Sequence, residues 1–304
     1  MAYKHGVYTS EVETSLTAPI VGTAGLQVIV GTAPVNMLKD PAAAVNVPLL
    51  VNNYKEAVEA VGYNDDFEAY TLCECISAAF SVVGVAPMVL INVLDPAKHK
   101  ADISEKTMQV NDGVAVLDEV GVLLEGLTIK ADATPLEAGK DYTTTWNNDG
   151  TLNIVLLKGG AGEKATTLTA TGSKIDPSKV KAADIVGGVD ISSGKETGLE
   201  LIRQIYPTLG MVPGLILAPG WSHTPTVAAA LQAKTENING NFNCSCLLDI
   251  PADSDGAVVY TSVKGAKEAL GASSAHAAAL WPMVAVGEKK YYFSAMFAAL
   301  TAYT

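Results

Sequence analysis

Residues 67–93 read FEAYTLCECISAAFSVVGVAPMVLINV, and the way this stretch divides decides the fold. From Ile76 to Leu94 it carries no charge and is long enough to cross a bilayer. Gly84 and Pro87 interrupt it, and these two residue types punctuate regular structure. The stretch therefore reads as a helix over 67–82, a Gly-Val-Ala-Pro turn and a short buried strand over 88–93. Phe67, Tyr70, Leu72, Ile76 and Phe80 supply much of the helix's apolar surface, and Asp65 or Asp66 is its expected N-cap. A helix followed by a wholly apolar strand is the repeating unit of a sheet covered by helices.

The same texture extends to either side. An apolar run at 26–31 predicts a buried strand, and 54–61 predicts a helix ended by Gly62. After Asp176-Pro177 the alternation resumes. Leu199, Ile202 and Tyr206 are helically spaced, with Pro207 expected to stop that helix. A strand is expected at 214–218, and Thr224 with Pro225 forms an N-cap and first-residue pair for a helix over 226–234. A strand at 242–250, a helix at 257–270, a hairpin joining 278–286 to 290–294, and a helix from 295 complete the reading. Residues 205–233 are also uncharged, but Pro207, Gly210, Pro213, Gly214, Pro219, Gly220 and Pro225 cut them too often for a membrane span.

Between these halves the pattern changes. Residues 106–173 are rich in Thr, Val, Leu and Gly, with strand-like runs at 107–110, 113–117, 127–131, 142–146, 152–157 and 167–171. Asn111-Asp112-Gly113, Asn147-Asn148-Asp149-Gly150 and Gly159-Gly160-Ala161-Gly162 separate them, which is the signature of an all-β module. The expected fold is thus an α/β (α+β) core with a mixed sheet covered by helices, interrupted by an inserted all-β sandwich or barrel domain. The expected boundaries are an extended N-terminal arm at 1–20, a discontinuous core at 21–96 and 180–304, and the insert at 97–179. The arm has no period; Tyr3, Gly6, Val7, Tyr8, Val12 and Leu16 are scattered among polar residues, which suits a strand laid on another surface.

Composition limits the function. The 304 residues are 49% hydrophobic and 17% charged, ample for a core and unlike a disordered chain. Acids outnumber Lys and Arg by 32 to 20, a formal charge of -12, and no basic stripe relieves it, so direct nucleic-acid binding is not expected. The first residues lack the apolar core of a signal peptide, so the expected compartment is the cytoplasm, without membrane insertion.

No cofactor or metal is expected. Cys73/Cys75 and Cys244/Cys246 are Cys-x-Cys pairs, too tightly spaced for paired zinc ligands, and read as buried free thiols. The histidines His5, His99, His223 and His276 lie far apart in sequence. Asp65-Asp66 and 253–255 read as a cap and a solvated loop. Gly194-Lys195-Glu196 and Gly162-Glu163-Lys164 are incomplete phosphate loops. The best enzymatic candidate is Ala218-Pro219-Gly220-Trp221-Ser222-His223, beyond a strand's carboxyl end, where open α/β sheets place ligands. Ser222 and His223 would supply nucleophile and base, with Asp249 as a third member. Against this, adjacent residues rarely face each other and no Gly-x-Ser-x-Gly elbow is present. The competing reading is a turn set by Pro and Gly, with Trp221 packed beneath it.

Three stretches resemble the tail sheath proteins of contractile phages and R-type bacteriocins. They are Tyr3-Lys4-His5-Gly6-Val7-Tyr8 with Ser10-Glu11-Val12, then Val30-Gly31-Thr32-Ala33-Pro34-Val35-Asn36, and then Tyr206-Pro207 through Pro213-Gly214-Leu215-Ile216-Leu217-Ala218-Pro219-Gly220-Trp221-Ser222 followed by 278–282. The resemblance implies a structural protein of contractile injection systems, prophage remnants included, and no enzyme. Its implied partners are other sheath subunits in a homopolymer, the tail tube protein, and baseplate and tail terminator proteins. Its implied location is the virion tail, after assembly in the host bacterial cytoplasm. It also implies that Tyr3, Lys4, His5, Gly6, Val7, Tyr8, Glu11, Val12 and Leu16 form an inter-subunit arm. Sheath proteins continue into a C-terminal domain and a second arm, whereas this sequence stops at Ala302-Tyr303-Thr304. If the arm's acceptor sheet lies in that further part, this chain by itself is expected to form no long tubes. The readings from other classes are a small-molecule α/β enzyme at the Trp221–His223 loop and a glycan-binding surface protein.

Overall fold

The computed structural model describes residues 25–254 and 256–303. Strand β1 (Gln27–Gly31) is buried along its whole length, as an apolar run in the middle of a sheet should be. It is followed by β2 (Leu49–Val51) and α1 (Tyr54–Val61). Asn53 caps α1 by accepting from Glu56 N at 2.9 Å, and the Glu56 carboxylate reaches back to Asn52 N at 2.8 Å. Gly62 ends α1 at φ 79°, where a Cβ would lie 2.4 Å from the Pro34 carbonyl oxygen.

Helix α2 (Thr71–Ile76) continues into a π-helical turn (Ser77–Val83), and β3 (Met88–Asn92) follows. The uncharged stretch 76–94 is thus split by its Gly-Val-Ala-Pro turn as expected. The start of the helix is not. Asp66 Oδ1 accepts from Ala69 N, and Tyr70 N bonds Asp66 O, so Asp66 closes a separate turn and the helix begins at Thr71. The first N–H groups of α2 are capped from a distance: Thr71 N donates to Thr32 Oγ1 at 3.1 Å and Leu72 N to Thr32 O at 3.0 Å.

The chain then builds a second sheet from β4 (Lys100–Asn111), β5 (Val114–Leu117), β6 (Thr128–Ala131), β7 (Thr134–Leu136), β8 (Tyr142–Trp146), β9 (Leu152–Leu156) and β10 (Thr167–Ile175). It is wholly antiparallel, in the order β7-β6-β10-β4-β5-β9-β8, and curls around Leu117, Ile129, Leu152, Ile154 and Leu168. Strands β4 and β10 outrun their apolar patterns, because their outer halves pair with each other up to Lys100 and Ile175. Strand β7 was not read from sequence. The two crossings between the sheets are joined by Asp176 N donating to His99 O at 2.7 Å.

The return begins with α3 (Ala182–Val186) and a small hairpin of β11 (Gly188–Val189) and β12 (Glu196–Thr197). A 3-10 stretch (Gly198–Gln204) leads into α4 (Ile205–Leu209). Pro207 lies inside α4 and does not stop it: in a first turn the missing N–H has no intrahelical partner to lose, and Gly210 is the terminator. Strand β13 (Leu215–Leu217), α5 (Pro225–Ala233), β14 (Ser245–Asp249), α6 (Val263–Leu270) and β15 (Ala277–Leu280) form successive strand–helix–strand units. The expected hairpin at 278–294 is divided. Its first part is β15, parallel to β14, and only β16 (Val284–Val286) and β17 (Lys289–Tyr291) form the hairpin that leads to α7 (Phe293–Tyr303). Helix α6 starts later than expected, after a 3-10 turn at Tyr260–Ser262.

The first sheet has the order β15-β14-β13-β1-β3-β2, parallel except for β2. The sheet is mixed and the overall fold is α+β. Strand β1 is central, and the chain builds first on its β3 side and later on its β13 side. The reversal leaves a crevice beyond the carboxyl ends of β1 and β13, the place where such sheets bind ligands.

Candidate functional site

The 218–223 segment lies at this crevice. Trp221 N and Ser222 N both donate to Ala218 O, at 3.1 and 2.9 Å, and Gly220 takes φ 74°, so proline and glycine set a tight turn after β13. The turn sends its three candidate side chains to three places. Trp221 lines a cleft of about 470 Å³ with Asp66, Glu68, Thr71 and Asp176. His223 lines another of about 340 Å³ with Pro225, Ile250, Pro251 and Leu270. Ser222 is fully buried between them.

Ser222 is engaged by Asp249, the last residue of β14. Its Oγ donates to Asp249 Oδ2 at 3.2 Å and accepts from Asp249 N at 3.0 Å. The same carboxylate accepts from Ser294 Oγ, and from Ser294 N at 2.9 Å. Asp249 and Ser294 are as buried as Ser222. Ser294 is in the first turn of α7, so Asp249 caps that helix from the neighbouring strand. A second buried carboxylate, Glu74 of α2, accepts from Tyr292 N just before α7. Ser77 and Tyr291 add a hydroxyl pair at 3.0 Å. Two acids at one helix N-terminus satisfy donors the helix leaves open and meet the positive end of its dipole.

Burial dominates the electrostatics here. It raises the Asp249 carboxyl to about 6 despite the donors from Ser294 and Ser222, and raises Glu74 well above the usual carboxylate range. The arrangement ties β14, α2 and the 218–223 turn to the start of α7. The serine's one proton goes to Asp249 and the histidine faces a different cleft, so the constellation is built as a structural lock; Trp221 is half-buried against the core where it lines the first cleft.

The remaining candidates resolve similarly. Cys73, Cys75, Cys244 and Cys246 are free and buried, and burial lifts the Cys73, Cys244 and Cys246 thiols to about 12. Cys244 falls just before β14, which begins at Ser245, later than the expected strand start at 242. Among the described residues no His, Cys, Asp or Glu group is set to hold a metal. Just before each incomplete phosphate loop, backbone N–H groups are occupied by the chain's own carboxylates. Asp190 Oδ1 accepts from Ser192 N and Ser193 N, at 2.8 and 3.1 Å, and is held down to about 2 by these bonds and the Ser192 hydroxyl. Glu163 accepts from Gly159 N at 3.0 Å and Asp141 from Ala161 N at 2.9 Å. Asp65 does not cap a helix; it pairs with Lys289 at 2.6 Å and accepts from the Tyr63 hydroxyl at 2.8 Å. The arm residues Tyr3, Lys4, His5, Gly6, Val7, Tyr8, Glu11, Val12 and Leu16 lie outside the described residues. Among the described residues no helix is long and apolar enough to cross a membrane.

Sequence reasoning named Ser222 and Asp249 but missed Glu74 and Ser294. A lone glutamate in an otherwise uncharged helix, Thr71–Val83, was the available signal for the first. A serine in the first turn of an apolar helix was the signal for the second.

No protein-family profile matches the chain. It is similar to the tail sheath protein of Burkholderia phage BcepMu, 27% identical over 234 residues, which is 76% of this chain and 46% of the relative. The chain therefore spans less than half the length of the curated relative it matches. The resemblance read from the sequence motifs and the similarity to this phage tail sheath protein point the same way.

Proposed function

We propose that the chain is a structural subunit of a contractile tail sheath. It polymerises with copies of itself around an inner tail tube and shortens to drive that tube through the target envelope. The supporting observation is the similarity to a tail sheath protein over three quarters of the chain. The crevice agrees with it, since its best catalytic candidate is tied up in holding α7. In this reading residues 3–16 are the arm that adds to a neighbouring copy's sheet by main-chain hydrogen bonds. The first sheet offers two edges, β2 and β15, each short and without a charged residue. Residues 97–179, which hold the second sheet and its separate core, are an inserted unit carried by the subunit. Baseplate and terminator proteins are the further partners, and the virion tail, filled from the host cytoplasm, is the location.

The test is electron microscopy of the chain expressed with the other tail proteins of its source. Striated tubes containing this chain are expected. Tails that assemble fully while the chain stays behind as a monomer would overturn the proposal.

A further inference from the structure

The hairpin of β11 and β12 carries an aliphatic knob. Ile191 at its tip is 99% exposed, and Val189 beside it is 45% exposed. The tip is held stiff. The Asp190 carboxylate accepts from Ser192 N and Ser193 N, Asp190 N donates to Lys195 O at 2.8 Å, and Gly194 N donates to Asp190 O at 2.7 Å. A side chain presented on a pre-ordered loop loses little freedom when a partner buries it. Single exposed aliphatics are ordinary on protein surfaces, so the knob gains meaning only from a matching cavity.

That cavity lies on another flank of the same chain. The cleft of about 340 Å³ beside His223 is walled by Pro225, Ile250, Pro251, Ala269 and Leu270, and Gly265 of α6 also lines it. A Cβ on Gly265 would meet no atom within 4 Å, so nothing in the subunit itself calls for glycine, a residue that weakens a helix. What the missing side chain does is keep the cleft open. Charge agrees with the match. On a chain of formal charge -12, the tip's one charge is the Asp190 carboxylate, whereas α6 carries Lys264 and Lys267 against Glu268.

The knob does not fill its own subunit's cleft. The hairpin's base lies by the β3 side of the first sheet, where Gly198 N donates to Asn46 Oδ1 at 3.0 Å and Thr197 lines a small cleft with Val93 and Asp95. Ile250 and Pro251 follow β14, and β13 and β1 stand between β14 and β3. A knob and a cavity on different flanks join copies head to tail, and a contact of that kind propagates from copy to copy.

We infer that Ile191 of one copy inserts into the cleft beside Gly265 of the next, a heterologous contact that repeats along the polymer. This deepens the sheath reading and rests on it.

The test is a full-length Ile191→Cys/Ala269→Cys chain oxidised in solution. The four native thiols are buried and leave the engineered pair to react. Non-reducing electrophoresis is expected to show a ladder of dimers, trimers and higher species, with 191–269 disulfides found by peptide mass spectrometry. Adding Gly265→Leu places a side chain where the subunit leaves open space, and the ladder is expected to fall roughly tenfold. Absence of the 191–269 disulfide, or a ladder unchanged by Gly265→Leu, would overturn the inference. Assembled tails that take up a Gly265→Leu chain as readily as the parent would also overturn it, and would leave the sheath reading standing. Failure of that reading shows separately, in a parent chain left out of the tails.

Discussion

The two sheets solve the same problem in opposite ways. In the first, β1 and β3 are buried at every position, and their ends are held by side chains arriving from far along the sequence. Thr32 caps α2, Asp249 and Glu74 cap α7, and Asn92 at the end of β3 accepts from Ala33 N and Leu94 N, both at 3.1 Å. In the second sheet buried and open positions alternate, as in β10 and β8, and its turns are held by neighbours. Asn147 and Asn153 exchange amide bonds at 3.1 and 2.6 Å, and Asp149 accepts from Thr151 N at 2.9 Å. Parallel strands covered on both faces must close their open ends with long-range contacts, whereas antiparallel hairpins close theirs locally.

The largest expected effect of breaking this contrast is at Asn92. Asn92→Ala leaves two buried N–H groups unsatisfied, and a loss of about 3–5 kcal/mol is expected in urea unfolding. Ser294→Ala removes one donor to Asp249 but keeps the backbone N–H, and about 1–2 kcal/mol should be lost, with faster amide exchange concentrated in α7. Asn147→Ala in the second sheet should cost about 1 kcal/mol, with faster exchange confined to the β8–β9 turn. A loss at Asn147 as large as that at Asn92 would erase the distinction.

The same contrast explains what the sequence disclosed. Hairpin turns such as 111–113 and 147–150 announce themselves because the stabilising residues sit within the turn. Strands β1 and β3, as short apolar runs beside Gly and Pro, were equally legible. The start of α2 was misplaced because its cap, Thr32, lies 39 residues away, while the nearby Asp66 caps a different turn. The 278–286 run looked like one strand because no residue marks where β15 leaves the sheet edge and β16 begins. Ser222 and Asp249 were found for their chemistry, but their role depends on α7, whose Ser294 is 45 residues beyond Asp249. Only tertiary packing brings them together.

At the crevice Asp249 is a buried structural cap, and the pH dependence of stability reports on it. Burial raises its carboxyl from 3.8 in the unfolded chain to about 6 in the folded one, so the fold binds the proton more tightly. The stability this adds is complete below 3.8 and disappears as pH rises through about 6, a change of about 3 kcal/mol at 1.36 kcal/mol per unit. Urea unfolding of the parent and of Asp249→Asn between pH 4 and 7.5 isolates it together with its coupling to Glu74, whose carboxyl the Asp249 charge pushes further up. The parent is predicted to lose about 2 kcal/mol relative to the variant across that range, the rest of the change lying below pH 4. Two parallel profiles would rule out a buried cap, since they would mean that Asp249 titrates as an open, solvated acid at a crevice built for something else.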